Sequence, residues 1–310
     1  MTFNESLFEA VRNGNLELVQ RLVEQGADVN ACDHDEYYHA ESDEWRVYGS
    51  DQTVFQCAAI SGNLEMVKWL VEHGSKIMMN VNNSYGGLYE CYSILHKVAR
   101  SGNLEMVKWL VERGADVNAS SFPGDSVLHE AVRSGNLELV KWLVEQGADV
   151  NAKDEEGYTV LYFLARIGNL EMVKWLVEHG ASIKKEIVHA AAECGNLELV
   201  KLLVERGVGI NKKSSYYRET VLHCATRSGN LELIKWLVEK DANINAKDHL
   251  GDTVLHYVAR DGNLELFKWL VEQGAKVNVK NTYGMTVLHY AAESGNQTLI
   301  EWLKEHGVKE

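Results

Sequence analysis

Apolar residues recur at helical spacing in short segments along this chain, and two kinds of segment alternate. In residues 264–272 the apolar positions fall at i, i+3, i+6 and i+7, which is one face of an amphipathic helix. A shorter apolar segment, Val-Leu-His-Tyr-Val-Ala-Arg, follows Thr253, whose hydroxyl can cap a helix. Gly262 is suited to end this first helix, and Asn263 to begin the second. The pattern predicts a unit of helix, turn, helix and extended turn.

The unit occurs nine times, each copy marked by the dipeptide Gly-Asn before its second helix. The dipeptide begins at residues 14, 62, 102, 135, 168, 195, 229, 262 and 295, at spacings of 48, 40, 33, 33, 27, 34, 33 and 33. A period near 33 residues indicates stacked repeats that pack on their neighbours. We predict one domain over residues 1–310, with repeats at roughly 1–31, 50–79, 91–119, 124–152, 157–183, 187–211, 218–246, 251–279 and 284–310.

Three motifs recur: Thr-Val-Leu-His from Thr220, Thr253 and Thr286, then Gly-Asn-Leu-Glu, and Gly-Ala-Asp-Val-Asn. With these motifs the chain closely resembles the ankyrin-repeat family over its whole length, although Val stands where the family has Pro after Thr. The resemblance implies an all-α solenoid of helix-turn-helix units with β-turn fingers, the turns that project between helix pairs. It also implies that the first helices line a concave groove, and that the protein recognises other proteins without catalysis.

The net charge of −14 is concentrated near the N-terminus, since residues 1–60 hold 12 acidic and three basic side chains. This charge disfavours nonspecific binding to nucleic acid or anionic membranes. The sequence has no apolar run of about 20 residues and no signal-peptide pattern. The five cysteines are scattered, without a Cys-x-x-Cys pair. We expect a cytoplasmic protein with reduced thiols; secretion by a specialised system stays open.

The motifs of common catalytic sites are absent from the sequence. It contains no phosphate-binding glycine loop, no His-Glu-x-x-His and no Gly-x-Ser-x-Gly. One histidine per repeat occupies the Thr-x-Leu-His site, at His96, His129, His189, His223, His256 and His289. These histidines are too far apart in the chain to share a metal, and the resemblance implies that they form structural hydrogen bonds. We expect no enzyme activity, no metal and no cofactor.

Six of the eleven arginines occupy one equivalent site near the end of the first helix: Arg12, Arg100, Arg133, Arg166, Arg227 and Arg260. The resemblance places this site on the groove, where a row of guanidinium groups can bind a partner's carboxylates. The alternative is that arginine is simply common at this position of the family. We take Arg100, Arg133, Arg166, Arg227 and Arg260 as candidate binding residues.

Two insertions interrupt the regular spacing and are predicted as loops at residues 32–50 and 80–91. Insertions in repeat proteins often lie on the binding face, and aromatic residues are enriched in binding hot spots. The candidate residues are Tyr37, Tyr38, Trp45 and Tyr48 in the first loop and Tyr85, Tyr89 and Tyr92 in or beside the second. Because the first loop is acidic, we expect it to anchor a partner with a basic segment. The alternative is a loop whose aromatic residues pack on themselves.

A deletion of six residues around residues 183–187 leaves no room for a finger, so we expect a gap or a bend there. Lys184 and Lys185 are expected near Lys212, Lys213 and Arg218 of the next connection, beside Tyr216 and Tyr217. At the C-terminal end, Gln297 and Lys304 replace apolar residues, so we expect the last repeat to end the array.

The resemblance also implies a modification, because ankyrin repeats are substrates of an asparagine hydroxylase that favours Leu-x5-Asp-Val-Asn. Asn30, Asn118 and Asn151 end matching segments. The alternative is that these asparagines serve only the fold. The favoured interpretation of the whole chain is a monomeric protein-interaction module. Two alternatives stay open: a bacterial or viral effector that targets a host protein, and a protein that binds or mimics nucleic acid.

Overall fold

The computed structural model describes residues 3–33, 36–39, 44–47, 52–85, 88–121 and 124–308. The first helices of the repeats are α1 (Phe3–Arg12), α3 (Val54–Ile60), α5 (Ile94–Ser101), α7 (Val127–Ser134), α9 (Val160–Ile167), α11 (Lys185–Glu193), α13 (Val221–Ser228), α15 (Val254–Asp261) and α17 (Val287–Ser294). The second helices are α2 (Leu16–Glu24), α4 (Leu64–Glu72), α6 (Leu104–Glu112), α8 (Leu137–Glu145), α10 (Leu170–Glu178), α12 (Leu197–Glu205), α14 (Leu231–Glu239), α16 (Leu264–Glu272) and α18 (Gln297–Glu305). These are the helix pairs that the apolar pattern predicts.

The start of a first helix is built from a hydroxyl residue and a histidine three positions later. The Thr220 amide donates to His223 Nδ1 at 3.2 Å. His223 Nε2 lies 3.3 Å from the backbone oxygen of Asp252 in the next finger. A neutral imidazole protonated on Nε2 satisfies both bonds, so the histidine caps its own helix and links two repeats. In α3, Gln56 takes the histidine's place and donates to the backbone oxygen of Met78 at 3.3 Å.

In each repeat, the asparagine of the Gly-Asn pair caps the N-terminus of the second helix. Asn230 Oδ1 accepts from the Leu233 amide at 3.0 Å and so satisfies a free donor of α14. Its Nδ2 donates to the backbone oxygen of Gly195, one repeat earlier, at 2.7 Å. Gly229, with φ of 70°, supplies the left-handed backbone that ends α13. The dipeptide recurs because it ends one helix, caps the next and joins two repeats.

Residues Met1–Val160 form one compact unit, called unit 1 here. Its first helices α1, α3, α5 and α7 pack on one another in chain order, and each packs on its own second helix. Phe55 and Leu95 of the first helices and Met66 and Met106 of the second are fully buried. Burial of such a side chain contributes about 1.5–3 kcal/mol, which stabilises helices that are too short to form alone.

Residues Leu161–Glu310 form the second compact unit, unit 2. Its first helices α11, α13, α15 and α17 pack on one another in order, each in contact with its own second helix. Leu203, Leu222 and Phe267 are fully buried in this stack. Among the described residues, no helix combines the length and apolar character needed to cross a membrane.

The two insertions contain antiparallel strands, where the sequence predicts loops. In the first, β1 (Cys32–Asp33) pairs with β4 (Gln52–Thr53), and β2 (Glu36–His39) pairs with β3 (Glu44–Val47). In the second, β5 (Asn80–Tyr85) pairs with β6 (Leu88–Ser93). The segments are rich in aromatic residues, which favour strands. Pairing also satisfies backbone groups that an open loop leaves to water.

The deletion in unit 2 removes the finger between the fifth and sixth repeats. Helix α10 ends at Glu178, and the chain passes through Gly180, with φ of 94°, to Lys184 directly before α11. The Lys184 side chain makes no capping hydrogen bond to α11. This connection therefore lacks both the projecting turn and the hydroxyl cap found at α13, α15 and α17.

Candidate partner-binding surface

Two arginines of the predicted row bind carboxylates within unit 1. Arg133 Nη1 lies 2.7 Å from Asp125 Oδ2 and 2.8 Å from Glu130 Oε1. Arg100 Nη1 lies 3.1 Å from the other oxygen of Glu130. The Glu130 side chain is only 4% exposed, so the two guanidinium groups compensate a charge that burial would otherwise penalise. The pair of Arg100 with Glu130 joins α5 to α7. A role of both arginines in partner binding stays a prediction.

Arg227 has a similar environment in unit 2. Its Nη1 lies 3.1 Å from Glu193 Oε1, and its Nη2 contacts the buried carboxylate of Glu219. Arg166 and Arg260, by contrast, are exposed and have no ion-pair partner among the residues that the structure describes. The five candidate arginines therefore divide into three with internal carboxylate partners and two whose guanidinium groups face solvent.

Tyr257 lies between two buried carboxylates of unit 2. Its hydroxyl is 2.8 Å from Glu219 Oε1 and 2.8 Å from Asp248 Oδ2. Burial raises the pKa of the Tyr257 phenol, and the charges of Glu219 and Asp248 raise it further, so the group stays a hydrogen-bond donor. A phenol has one proton and can donate to only one of the two oxygens at a time. Arg227 Nη2 also donates to Glu219 Oε1, so the phenol proton is available to Asp248 Oδ2 and each of the two oxygens has a donor.

Tyr290 and Asn281 complete a neighbouring cluster around Asp252. The Tyr290 hydroxyl donates to Asp252 Oδ2 at 2.8 Å, and Asn281 Nδ2 donates to Asp252 Oδ1 at 2.9 Å. Burial, followed by the bond to Asp252, raises the pKa of Tyr290 to about 12. Each oxygen of this carboxylate has a donor of its own.

Both clusters line an open cavity of about 440 Å³, which we call the tyrosine–carboxylate cavity. It is lined by Glu193, Tyr217, Glu219, Arg227, Asp248, His249, Leu250, Asp252, Tyr257, Arg260 and Tyr290. The lining holds four carboxylates and two guanidinium groups, so its net charge is negative with neutral histidine. The Arg260 guanidinium carbon lies 5.5 Å from the centre of the Tyr257 ring, at a distance where cation and ring attract.

The fingers beside this cavity are joined at their tips. The His249 amide donates to the backbone oxygen of Tyr217 at 3.0 Å, and the Thr282 amide donates to that of Leu250 at 2.9 Å. Tyr216 is 83% exposed, Tyr217 52% and Tyr283 74%. Tyr216 and Tyr217 are among the candidate binding residues named from the sequence, but Tyr283 is not. Its place before Gly284, at the tip of an extended turn, is the signal that could have identified it.

Of the basic patch expected at the deletion, the structure brings Lys185 and Lys213 together. Lys185 Nζ donates to the backbone oxygen of Lys213 at 3.1 Å. Lys213 Nζ in turn donates to the backbone oxygen of Lys247 at 2.7 Å. Arg218 occupies a left-handed conformation with φ of 53° on the same finger as Tyr216 and Tyr217.

Six of the seven candidate aromatic residues of the insertions lie on hairpin strands of unit 1. In the first hairpin Tyr38 is paired with Trp45, and Tyr37 with Arg46. In the second, Ser84 is paired with Tyr89, Tyr85 with Leu88, and Val81 with Tyr92. Tyr48 lies outside the described residues. The contribution of these seven residues to binding stays a prediction.

The asparagines of Gly-Ala-Asp-Val-Asn and its variants form what we call the asparagine ladder. Asn118 Nδ2 donates to the backbone oxygen of Gly147 at 2.9 Å, and Asn118 Oδ1 accepts from the Asp149 amide at 2.8 Å. Asn30, Asn211 and Asn245 make the equivalent pair of bonds to the next repeat. Two of the predicted hydroxylation sites, Asn30 and Asn118, are thus ladder residues, and Asn151 has the equivalent place in its repeat.

No group of three or more His, Cys, Asp or Glu side chains suited to a metal ion is present in the part of the chain that the structure describes. His96, His189 and His223 bind backbone oxygens of the following finger instead.

A family model for ankyrin repeats in three copies matches residues 7–121, 95–187, 128–214, 183–248 and 222–310. The chain belongs to the ankyrin-repeat family. Among solved structures, the human ASB11 ankyrin repeat domain is similar with 28% sequence identity and a TM-score of 0.62, over 71% of this chain and 100% of that chain. Comparison with curated proteins gives no match. The predicted family and its all-α repeat class are confirmed, and ankyrin repeats are generally protein-interaction modules.

Proposed function

We propose that this ankyrin-repeat chain is a non-catalytic protein-binding module whose partner inserts a basic side chain into the tyrosine–carboxylate cavity. The observation that carries the proposal is the excess of negative charge in the cavity lining, where four carboxylates face two guanidinium groups. A lysine or arginine of the partner offsets this excess of negative charge, and a charge-assisted bond to a carboxylate is stronger than a neutral one. The tyrosine rings of the lining favour a cation in addition.

The finger tips supply the apolar part of the proposed interface. Tyr216, Tyr217 and Tyr283 expose large aromatic surfaces in unit 2. Tyrosine is enriched among residues that dominate binding energy, because it buries a large area with little loss of side-chain freedom. Arg260, exposed at the same cavity, can receive a carboxylate of the partner. A partner segment with alternating basic and acidic residues fits this lining best.

The acidic first hairpin of unit 1 is the second proposed contact. It carries the aromatic residues Tyr37, Tyr38 and Trp45 within a strongly acidic sequence. Acidic side chains near aromatic residues suit a basic segment, in agreement with the charge preference proposed for the cavity. A cytoplasmic setting with reduced thiols, expected from the sequence, completes the proposal.

The test is capture of interacting proteins by the full chain, followed by quantitative mass spectrometry. Tyr216→Ala with Tyr217→Ala should reduce recovery of the specific partner by at least about tenfold. Leu231→Ala is the matched control, because this exposed residue of unit 2 lies on α14 outside the cavity lining. Removal of residues 33–49 tests the hairpin separately. Equal recovery by the double variant contradicts the cavity contact, and equal recovery after the deletion contradicts the hairpin contact.

A further inference from the structure

The asparagine ladder is interrupted once inside unit 2. Counted from Gly180, the ladder position of the fifth repeat is occupied by Lys184. A lysine ammonium has donors only, so it cannot replace an amide that donates and accepts at the same time. In the next repeat Asn211 still donates to the Asp241 oxygen at 3.0 Å and accepts from the Asn243 amide at 2.7 Å. The equivalent groups that lack an asparagine are the Gly207 oxygen and the Gly209 amide.

An open cavity of about 430 Å³ lies at this interruption, and we call it the ladder gap. Gly207, Val208 and Gly209 belong to its lining, together with Lys185 and Lys212. The Gly209 N–H has no hydrogen-bond partner among the described residues. The gap therefore presents an unused backbone donor at the place where a ladder asparagine would present its oxygen.

Arg206 adds a third positive charge to the lining of the ladder gap. In unit 1 the equivalent arginine, Arg113, stacks on Trp109 with 3.9 Å between its guanidinium carbon and the ring centre. The helix that ends before Arg206 has Leu202 in place of that tryptophan. Arg206 consequently lacks a ring to stack on, and its exposed guanidinium has no ion-pair partner in the described part of unit 2.

No carboxylate belongs to the lining of the ladder gap among the described residues. The Glu186 carboxylate, outside the lining, lies 3.9 Å from Lys185 Nζ. In a chain with net charge −14, three cationic side chains around one cavity are an unusual local excess. Their mutual repulsion is relieved when an anion enters between them.

We infer that the ladder gap binds an acidic segment of a protein partner, with one aspartate in the place of the missing asparagine. Aspartate has nearly the shape of asparagine, so its carboxylate can accept from the Gly209 amide as a ladder residue would. Arg206 and Lys212 supply charge-assisted donors to the same carboxylate. Val208 and Ile183 offer apolar contact to the aliphatic part of the segment.

A peptide fits these features better than nucleic acid does. The unused donor and the shape of the vacated position select a single small planar acid, whereas a duplex needs a long basic surface. The lining of the ladder gap shares no residue with that of the tyrosine–carboxylate cavity. The inference therefore stands independently of the basic segment proposed for that cavity.

The experiment titrates the full chain into a fluorescein-labelled peptide of aspartates spaced by glycine and serine, at about 50 mM salt. Fluorescence anisotropy reports binding, and the Gly209 amide resonance in a nitrogen-15 spectrum reports its place. Arg206→Gln combined with Lys212→Gln should weaken binding at least about tenfold. The control is Lys240→Gln, which removes the equivalent charge one repeat later, where Asn211 occupies the ladder position. It should change binding less than about twofold.

Several outcomes overturn the inference. They are the absence of binding to the wild-type chain, unchanged binding by the double variant, and equal binding of a peptide with asparagine in place of aspartate. Tighter binding of duplex DNA that the double variant loses would assign the gap to nucleic acid. Loss of self-association in the double variant by sedimentation, without peptide binding, would assign it to a second copy. Arg206→Gln alone, with circular dichroism, separates loss of charge from loss of fold. Partner capture through Tyr216 and Tyr217 should be unaffected.

Discussion

Asn230 donates from Nδ2 to the backbone oxygen of Gly195 at 2.7 Å, while its Oδ1 caps α14. A single side chain thus performs one local and one tertiary task. The two tasks can be separated, because aspartate retains the capping oxygen and lacks the amide donor.

Asn230→Ala should lower the free energy of unfolding by about 2 kcal/mol, since it loses the cap and the bond between repeats. Asn230→Asp should cost about half as much, because aspartate caps helices as well as asparagine does. Urea denaturation followed by circular dichroism measures both values. If the aspartate variant is as unstable as the alanine variant, the cap contributes little at this site.

The buried histidines should make the fold sensitive to acid. Burial lowers the pKa of His96, His129, His223 and His256 below their ordinary value. At His223 the charges of Asp248 and Glu219 oppose this effect, and Lys213 adds to it. As the pH falls below about 6.5, the unfolded chain binds protons before the folded chain does. Stability should therefore be full above that pH and decline progressively below it.

The matched variant is His223→Gln, because Gln56 already occupies this site in α3 with both hydrogen bonds intact. It should unfold near the wild-type urea midpoint at about pH 7.5 and lose less stability than the wild type at about pH 5.5. Denaturation curves at both pH values measure the difference. An acid sensitivity identical to that of the wild type would exclude His223 as a contributor.

The two classes of arginine should differ in their effect on stability. Arg133→Leu removes the partner of Asp125 and one partner of Glu130, and should lower the free energy of unfolding by about 1–3 kcal/mol. Arg166→Leu should change it by less than about 0.5 kcal/mol, since the exposed guanidinium has no ion-pair partner among the described residues. Thermal and urea unfolding provide the measurement. Equal losses would remove the distinction.

Cysteine alkylation should follow burial and local charge. Cys57 and Cys224 are buried, and burial together with Glu219 raises the pKa of the Cys224 thiol. Cys194 is exposed, yet burial of its sulfur and the charge of Glu193 raise its pKa, and Sγ donates to the Arg166 oxygen at 2.8 Å. Of the four cysteines whose side chains the structure describes, iodoacetamide with mass spectrometry at neutral pH should label Cys32 first and Cys194 more slowly. Cys57 and Cys224 should be labelled only on unfolding. Fast labelling of native Cys224 contradicts this order.

Asn118 is a suitable site for testing the predicted hydroxylation. Its side chain is exposed, and both its Nδ2 and its Oδ1 form hydrogen bonds to the next repeat. An asparagine hydroxylase that acts on ankyrin repeats should add one oxygen to Asn30, Asn118 or Asn151. Mass spectrometry of treated protein measures the gain, and Asn245 is the control because its segment lacks the Asp-Val-Asn motif. Absence of any gain would leave these asparagines with the structural role alone.

Local chemistry made much of the fold predictable. The helices and their ends could be predicted because they depend on contacts within a helix and its cap. These contacts produce the apolar period, the Gly-Asn spacing and the Thr-Val-Leu-His motif. The basic patch at the deletion was also predictable, because Lys185 and Lys213 follow from repeat spacing. The strand pairing in the insertions was not predictable, because it depends on which segments hydrogen-bond to each other, and the sequence pattern of one segment does not identify its partner.

The sequence by itself determined a row of helix pairs, because every repeat carries its own caps, breaks and apolar face. Only the tertiary structure decided which arginines form ion pairs with carboxylates of this chain and which tyrosines donate hydrogen bonds to carboxylates. It also decided that, with Lys184 at the ladder position, the Gly209 amide has no partner among the described residues. Several of these features join residues 30 to 38 positions apart through contacts between repeats. Such contacts depend on how neighbouring repeats stack, and a local pattern of side chains does not show which residues of the next repeat lie within contact distance.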